Sequence, residues 1–380
     1  FPVSLVLTIY LRQQRAAMMS SPIPYSDDLE IISPHEDEAI AKINESMHTI
    51  LETVAEDENH AYRAVHAKSH GILEASLTIP ANLPDELAQG IFALPGRHDA
   101  ILRFSTNPGD VLDDSVSVPC GLALKVLSVE GERLSSAYDS KAQDFVMING
   151  PAFSASSADD FANTLKLLAA TTDRAEWAKK LLSATLRGIE KALEATVGGS
   201  ATIQTLGGAP NVHPLGETFY SQTPYRYGNY VAKFQVVPVS SNLTALSGTE
   251  IDAKGRPNAL REEIDAVMRT GPAEWELRVQ LLRDRDAQPI EDATVIWDEE
   301  RFPFQTVAQI TAGAQTGWND QRAAAVDDAM RFAPWNGVVS HRPLGSINRA
   351  RKSPYEHSAK FRERVNGCPI REPRTADLPA

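Results

Sequence analysis

Hydrophobic and polar positions change rhythm several times along the chain. Residues 18–35, with their prolines and serines, predict an extended arm. Over 36–57, Ile40, Ile43, Met47, Ile50, Leu51 and Val54 recur at helical spacing with acids on the other face, which predicts an amphipathic helix. Four β-rich runs follow, "GILEASLTIP", "DAILRFSTN", "GLALKVLSV" and "DFVMIN", separated by clusters of Gly, Pro, Asp and Asn. Residues 157–196 return to a mostly helical pattern and lead into the glycine-rich "GGSATIQTLGGAP". A second β-rich block reads "NYVAKFQVVPVS", "AEWELRVQLLRD" and "FQTVAQITA"; the remainder mixes short helices with proline-punctuated loops. No repeat of solenoid or propeller period is present. Antiparallel strand runs with helices in separate stretches predict an α+β protein built on a sheet or barrel. The pattern leaves one domain or two open.

Composition narrows the class. In 380 residues, 42% are hydrophobic, enough for one large core or two smaller ones. The 37 basic and 50 acidic residues give a net charge of −13, a field that repels phosphate backbones and argues against nucleic acid as a partner. Cys120 and Cys368 match no metal or redox spacing. So few cysteines point to a reducing compartment, so a cytoplasmic location is expected. The opening "FPVSLVLTIYL" is apolar for 11 residues, short of the roughly 20 that span a bilayer. Basic residues follow that run rather than precede it, unlike a signal peptide, although the run leaves a periplasmic location open. Residues 1–17 therefore read as a leader or upstream extension, with Met18 or Met19 as a natural start, and stable membrane insertion is not expected.

Familiar motifs are absent. The glycines at 198–199 and 207–208 form no G-x-G-x-x-G, and neither a P-loop nor a G-x-S-x-G elbow occurs. In "YRAVHAKSHG", His66 and His70 stand four apart. On a helix both would share a face and could grip a metal, but the glutamate of H-E-x-x-H is missing. A single proton-shuttling histidine and a pair of ordinary surface residues are the other readings.

Three separated stretches together resemble the haem-binding core of the catalase family. "RAVHAKSHG" resembles its distal-histidine segment, "LRFST" with "GLALKVLSVEG" its following strands, and "RARKSPYEHSAKFR" its proximal R-x-x-x-Y…R segment. Between them, "WELRVQLL" and "IEDATVIWDEERFP" look like a strand and turn late in that core, so the resemblance spans roughly 36–365. It implies an antiparallel β-barrel with surrounding helices over residues 36–380, preceded by the leader and arm at 1–35. Haem b is the implied cofactor. Tyr355 would ligate the iron as a phenolate, with Arg351 supplying the positive charge that a phenolate requires. His66 would move the peroxide proton, Ser105 would orient it, and His70 has no catalytic counterpart. Arg63, Arg103 and Arg362 fall at propionate-binding positions. Phe153 and Phe161 could pack near the ring or in the core.

The match also departs from the family. Its distal asparagine lies in an N-N-T-P-like segment, where this chain reads "INGP". Aligned without a gap, Ile148 takes that place; with one residue deleted, Asn149 does, and Asn149 is the expectation here. Pro354 before Tyr355 predicts that Arg351 and Tyr355 meet across a helix start. The chain is short for the family, which resembles the small catalase-related peroxidases and the hydroperoxide-isomerising branch. Val65 is the residue type of the peroxide-decomposing branch, where the isomerising branch tends to carry threonine. The resemblance thus implies a haem-dependent peroxidase or catalase-like enzyme acting on hydrogen peroxide or organic hydroperoxides. An organic electron donor and a dimer or tetramer are further expectations. Isomerisation or dehydration of fatty-acid hydroperoxides, and a haem- or lipid-binding barrel without turnover, are the alternatives.

Overall fold

A computed structural model describes residues 20–135, 140–169 and 211–380. The expected leader at 1–17, the end of the 157–196 helix and the glycine-rich loop lie outside the described residues. Nine strands are seen among those described: β1 (Ser69–Ile79), β2 (Gly96–Thr106), β3 (Cys120–Val126), β4 (Gln143–Ile148), β5 (Phe219–Tyr220), β6 (Tyr225–Tyr227), β7 (Tyr230–Pro238), β8 (Ala273–Leu281) and β9 (Gln305–Ala312). Their order is β5-β4-β3-β2-β1-β9-β8-β7-β6, all antiparallel, and β5 also pairs with β7. That extra pairing closes eight strands into a barrel and leaves β6 as a short hairpin arm on β7.

The barrel closes because one face of every long strand is apolar. Leu73, Leu102, Phe104, Leu122, Phe145, Met147, Phe234, Trp275 and Ile310 fill the interior. An eight-stranded barrel is just wide enough for side chains to fill. The first four strands bury their outer face as well, which is why β3 is buried at every position. The 318–332 segment and the C-terminal tail cover that face, Val326, Phe332 and Ala376 packing on Ile72, Ile101 and Ala123. A separate helix layer comprises α1 (Glu36–Glu58), α2 (Ala158–Ala169), α4 (Ser346–Ala350) and α5 (Lys352–Asn366), and α3 (Ala259–Thr270) packs against β1. α1 follows the expected stripe, burying Ile43, Met47, Ile50, Leu51 and Val54. Glu36, Asp37 and Glu38 in its first turn complement the helix dipole, and Asn59 ends it in the left-handed conformation. The layer has its own core of Ile43, Met47, Leu51, Phe161, Leu165, Ile347 and Phe361. No helix among the described residues is long and apolar enough to cross a membrane.

Two ionic networks fix the periphery. The extended arm lies along the barrel through Ile23 N–H to the Leu282 carbonyl (2.8 Å) and Tyr25 N–H to that of Asn229 (2.7 Å). Arg349 of α4 then binds Glu30, Glu36 and Glu291 at once. On the outer face of β3, fully buried Lys125 holds Asp144 at 2.7 Å and Glu372 of the C-terminal tail at 2.9 Å. Removing one member of such a buried set strands the others without a partner. Lys125→Met should therefore cost about 3–5 kcal/mol, read as a fall in the urea unfolding midpoint; an unchanged midpoint would show that the network contributes nothing net.

Candidate functional site

"YRAVHAKSHG" is not helical. It is a loop that enters β1, so His66 and His70 do not share a helix face. His70 sits in a bulge, where Ser69 pairs with Ser105 and Gly71 with Phe104. It is fully buried, its Nε2 3.1 Å from the Thr106 hydroxyl, which makes it a packing residue. No metal-holding group of three or more His, Cys, Asp or Glu side chains occurs among the described residues.

His66 is held in an unusual conformation. Its φ of 56° lies in the left-handed region, which costs a non-glycine residue about 1–3 kcal/mol. Four hydrogen bonds hold the backbone there. His66 N–H donates to the Asn107 carbonyl (2.9 Å) and Ala67 N–H to that of Pro108 (3.0 Å). Arg103 Nη2 donates to the carbonyls of His66 (2.9 Å) and Ala67 (3.1 Å). The ring then lies over β3 at Gly121, where a Cβ would stand 2.5 Å from Nδ1 and Cε1. Glycine here makes room for the imidazole. Nδ1 is 3.1 Å from the Ser105 hydroxyl. The side chain is deep in the protein yet only half-buried, as expected of a group lining a hollow. Burial, with Arg103, Arg351 and Arg63 nearby, lowers its pKa to about 3. The imidazole is neutral at physiological pH.

Arg63, Arg103 and Arg362 converge on Asp327, in a single π-helical turn (Ala324–Asp328). The Asp327 carboxylate accepts from Arg103 Nε at 2.6 Å, Arg63 Nη1 at 3.0 Å and the Ser69 hydroxyl at 2.5 Å. Arg362 Nη1 donates to its carbonyl. Burial alone would raise the Asp327 pKa, but Arg103 and Arg63 outweigh it and hold the carboxyl below its usual range. Three guanidinium groups face the buried Asp327 and the neighbouring Asp328, and Arg362 Nε has no hydrogen-bond partner among the described residues. The cluster thus carries surplus positive charge and a free donor, the requirement for receiving an external carboxylate. Asp327 was not anticipated from the sequence. The only signal was a pair of acids inside the otherwise apolar "AAAVDDAM".

The remaining predicted residues lie in or beside the helix layer. Val65, Phe153 and Phe161 belong to the helix-layer core, the two phenyl rings meeting edge-to-face at 5.0 Å. The Arg351 guanidinium lies 5.3 Å from the Phe153 ring centroid and near enough to His66 to depress its pKa. Lys352 opens α5, and Tyr355 N–H reaches back to the Arg351 carbonyl at 3.5 Å. The two residues therefore lie at a helix start, one turn apart. Tyr355 is half-buried, and no side-chain hydrogen bond engages its hydroxyl among the described residues.

Asn149 is not brought to the imidazole. Its Oδ1 accepts from Cys120 N–H at 2.9 Å and its Nδ2 donates to Glu217 at 3.1 Å. Burial raises the Glu217 pKa, which that hydrogen bond partly offsets. Ile148 instead pairs with Gly121. Directly opposed residues of an antiparallel ladder project to one face, so Ile148 stands on the face that carries His66.

No family model and no curated protein matches the chain. Solved structures do. A fungal catalase aligns with a TM-score of 0.57 and 19% identity over 82% of this chain and 61% of its own. Catalase A from Saccharomyces cerevisiae aligns at 0.57 and 18%, over 86% and 66%. A bacterial catalase aligns at 0.54 and 17%, over 86% and 63%. The chain thus spans under two thirds of the length of each, and the likeness is one of fold.

The pKa values make one prediction here. His66 and His341, both lowered to about 3, are neutral when folded, whereas an unfolded chain protonates them near 6.5. The unfolded state then binds more protons, so stability should fall steadily as pH drops from about 6.5 to about 3. Urea midpoints across that range should lose part of their slope in His66→Gln; an equal slope would mean that His66 titrates normally.

Proposed function

We propose that this catalase-like chain is a haem-dependent enzyme acting on hydrogen peroxide or organic hydroperoxides, with haem b held between His66 and Tyr355. The observation that carries the reading is a neutral, partly uncovered imidazole in the interior, within electrostatic reach of Arg351 one turn before a tyrosine. The residues suit the group at each of its ends. Arg63, Arg103 and Arg362 have surplus charge for the propionates. Val65, Phe153 and Phe161 offer apolar surface to a ring. Tyr355, beside Arg351, would ligate the iron as a phenolate. Haem, when bound, supplies a ferric centre whose anionic ligand pushes electron density toward the O–O bond.

The chain's own contribution is proton handling. With its ring neutral, His66 can accept the proton of a bound peroxide and return it to the leaving oxygen. Ser105 engages Nδ1 and leaves Nε2 free for that transfer. The arginines around Asp327 keep His66 from storing a proton between turnovers, because a cationic imidazole there would add to their repulsion. The His66 carbonyl, fixed by Arg103, sets the height of the ring.

Hemin added to the purified chain should give the absorption spectrum of a high-spin ferric tyrosinate haem. In Tyr355→Phe the spectrum should shift or the haem should be lost; an unchanged spectrum would refute the ligand. His66→Ala should keep the haem but lose peroxide turnover by about 100-fold or more, and retained turnover would remove the proton-transfer role. Oxygen release, donor oxidation and rearranged lipid products then separate catalase, peroxidase and isomerase.

A further inference from the structure

We propose that Ile148 makes the site selective for organic hydroperoxides over hydrogen peroxide. The inference rests on the haem-peroxide reading above and names its substrate class. Its basis is a row of residues across the sheet: Ser105 pairs with Gly121, and Gly121 pairs with Ile148. All three share one face, and the His66 ring lies over the middle one. The imidazole therefore has a hydroxyl on one side, at 3.1 Å, and a branched alkyl group on the other. Opposed Cβ positions in such a pair are about 4.5–5.5 Å apart, so Ile148 flanks whatever approaches His66.

The nearby amide does not compensate. Asn149 spends its oxygen on Cys120 and its nitrogen on Glu217, with the chain around it fixed by its own N–H bond to the Cys120 carbonyl at 3.0 Å. Gln222, the next amide along, donates to the carbonyls of Gly150 and Ala152. Val146, two residues before Ile148 on the same face, extends the apolar wall into the outer cluster with Ala123.

These facts discriminate between substrates. Hydrogen peroxide has an O–H at each end; His66 serves one, and the other would meet Ile148 without a partner. An alkyl hydroperoxide has a single O–H for His66 and presents carbon to the isoleucine. An unmet buried polar group is what makes a site reject a ligand most strongly. A preference of about 5- to 100-fold for the organic substrate follows.

The test uses the full chain loaded with hemin. The ratio of kcat/KM for cumene hydroperoxide to that for hydrogen peroxide should exceed unity by that factor. In Ile148→Asn it should fall by about tenfold or more, and in Ile148→Val it should hold. Cyanide affinity, read from the Soret shift, should also tighten several-fold in Ile148→Asn, because the new amide donates to the bound ligand. If Ile148→Asn does not load haem, Ile148→Thr supplies the donor in a smaller volume and is read the same way. A wild-type ratio below unity, or a loaded polar variant with both ratio and cyanide affinity unchanged, overturns the proposal and leaves the haem reading intact. A wild-type chain that binds no haem overturns that reading first, before any ratio is measured.

Discussion

Everything near the site depends on one buried carboxylate. Asp327 gathers a guanidinium from the loop before β1, another from β2 and a third from α5, together with the Ser69 hydroxyl at the start of β1. The barrel interior and the helix layer have separate apolar cores, and apolar contact alone sets their mutual position loosely. Charged groups are different. Burying them costs several kcal/mol per ion unless the geometry is met, so this knot admits one arrangement of barrel, loop and helix. Arg103 also carries the constraint to the imidazole. Its Nε binds Asp327 while its Nη2 fixes the carbonyls of His66 and Ala67.

Much of the fold was legible because the strands have regular alternation. All seven strand runs read from the sequence appear in the barrel, along with α1 and the first part of the helix beginning near 157. The two-residue β5 and three-residue β6 carry no period to read. α3, whose Leu260, Ile264 and Met268 pack inward, was passed over inside the second β-rich block. At the site, His66 meets Ser105 and the three arginines converge on the 326–330 segment, as residues drawn together from short, separate motifs. What spacing could not supply was direction. Whether Ile148 or Asn149 faces His66 depends on strand register, which is set by the partner residue across the sheet. Asp327 was invisible for a similar reason: its partners lie some 260 and 220 residues before it and 35 after it.

A closed ring of strands is as strong as its shortest member. β1 and β2 share ten paired positions, whereas β5 joins β4 through one pair and β7 through two. The barrel therefore has a seam, where the described residues pair over the shortest run along its circumference. The seam is not remote, since the β4 residue that meets β5 is Ile148, opposite Tyr220. The pairing at the seam and the placing of Ile148 beside His66 are thus one constraint. A change that alters the pairing of β4 with β5 therefore also alters the sheet face that carries His66.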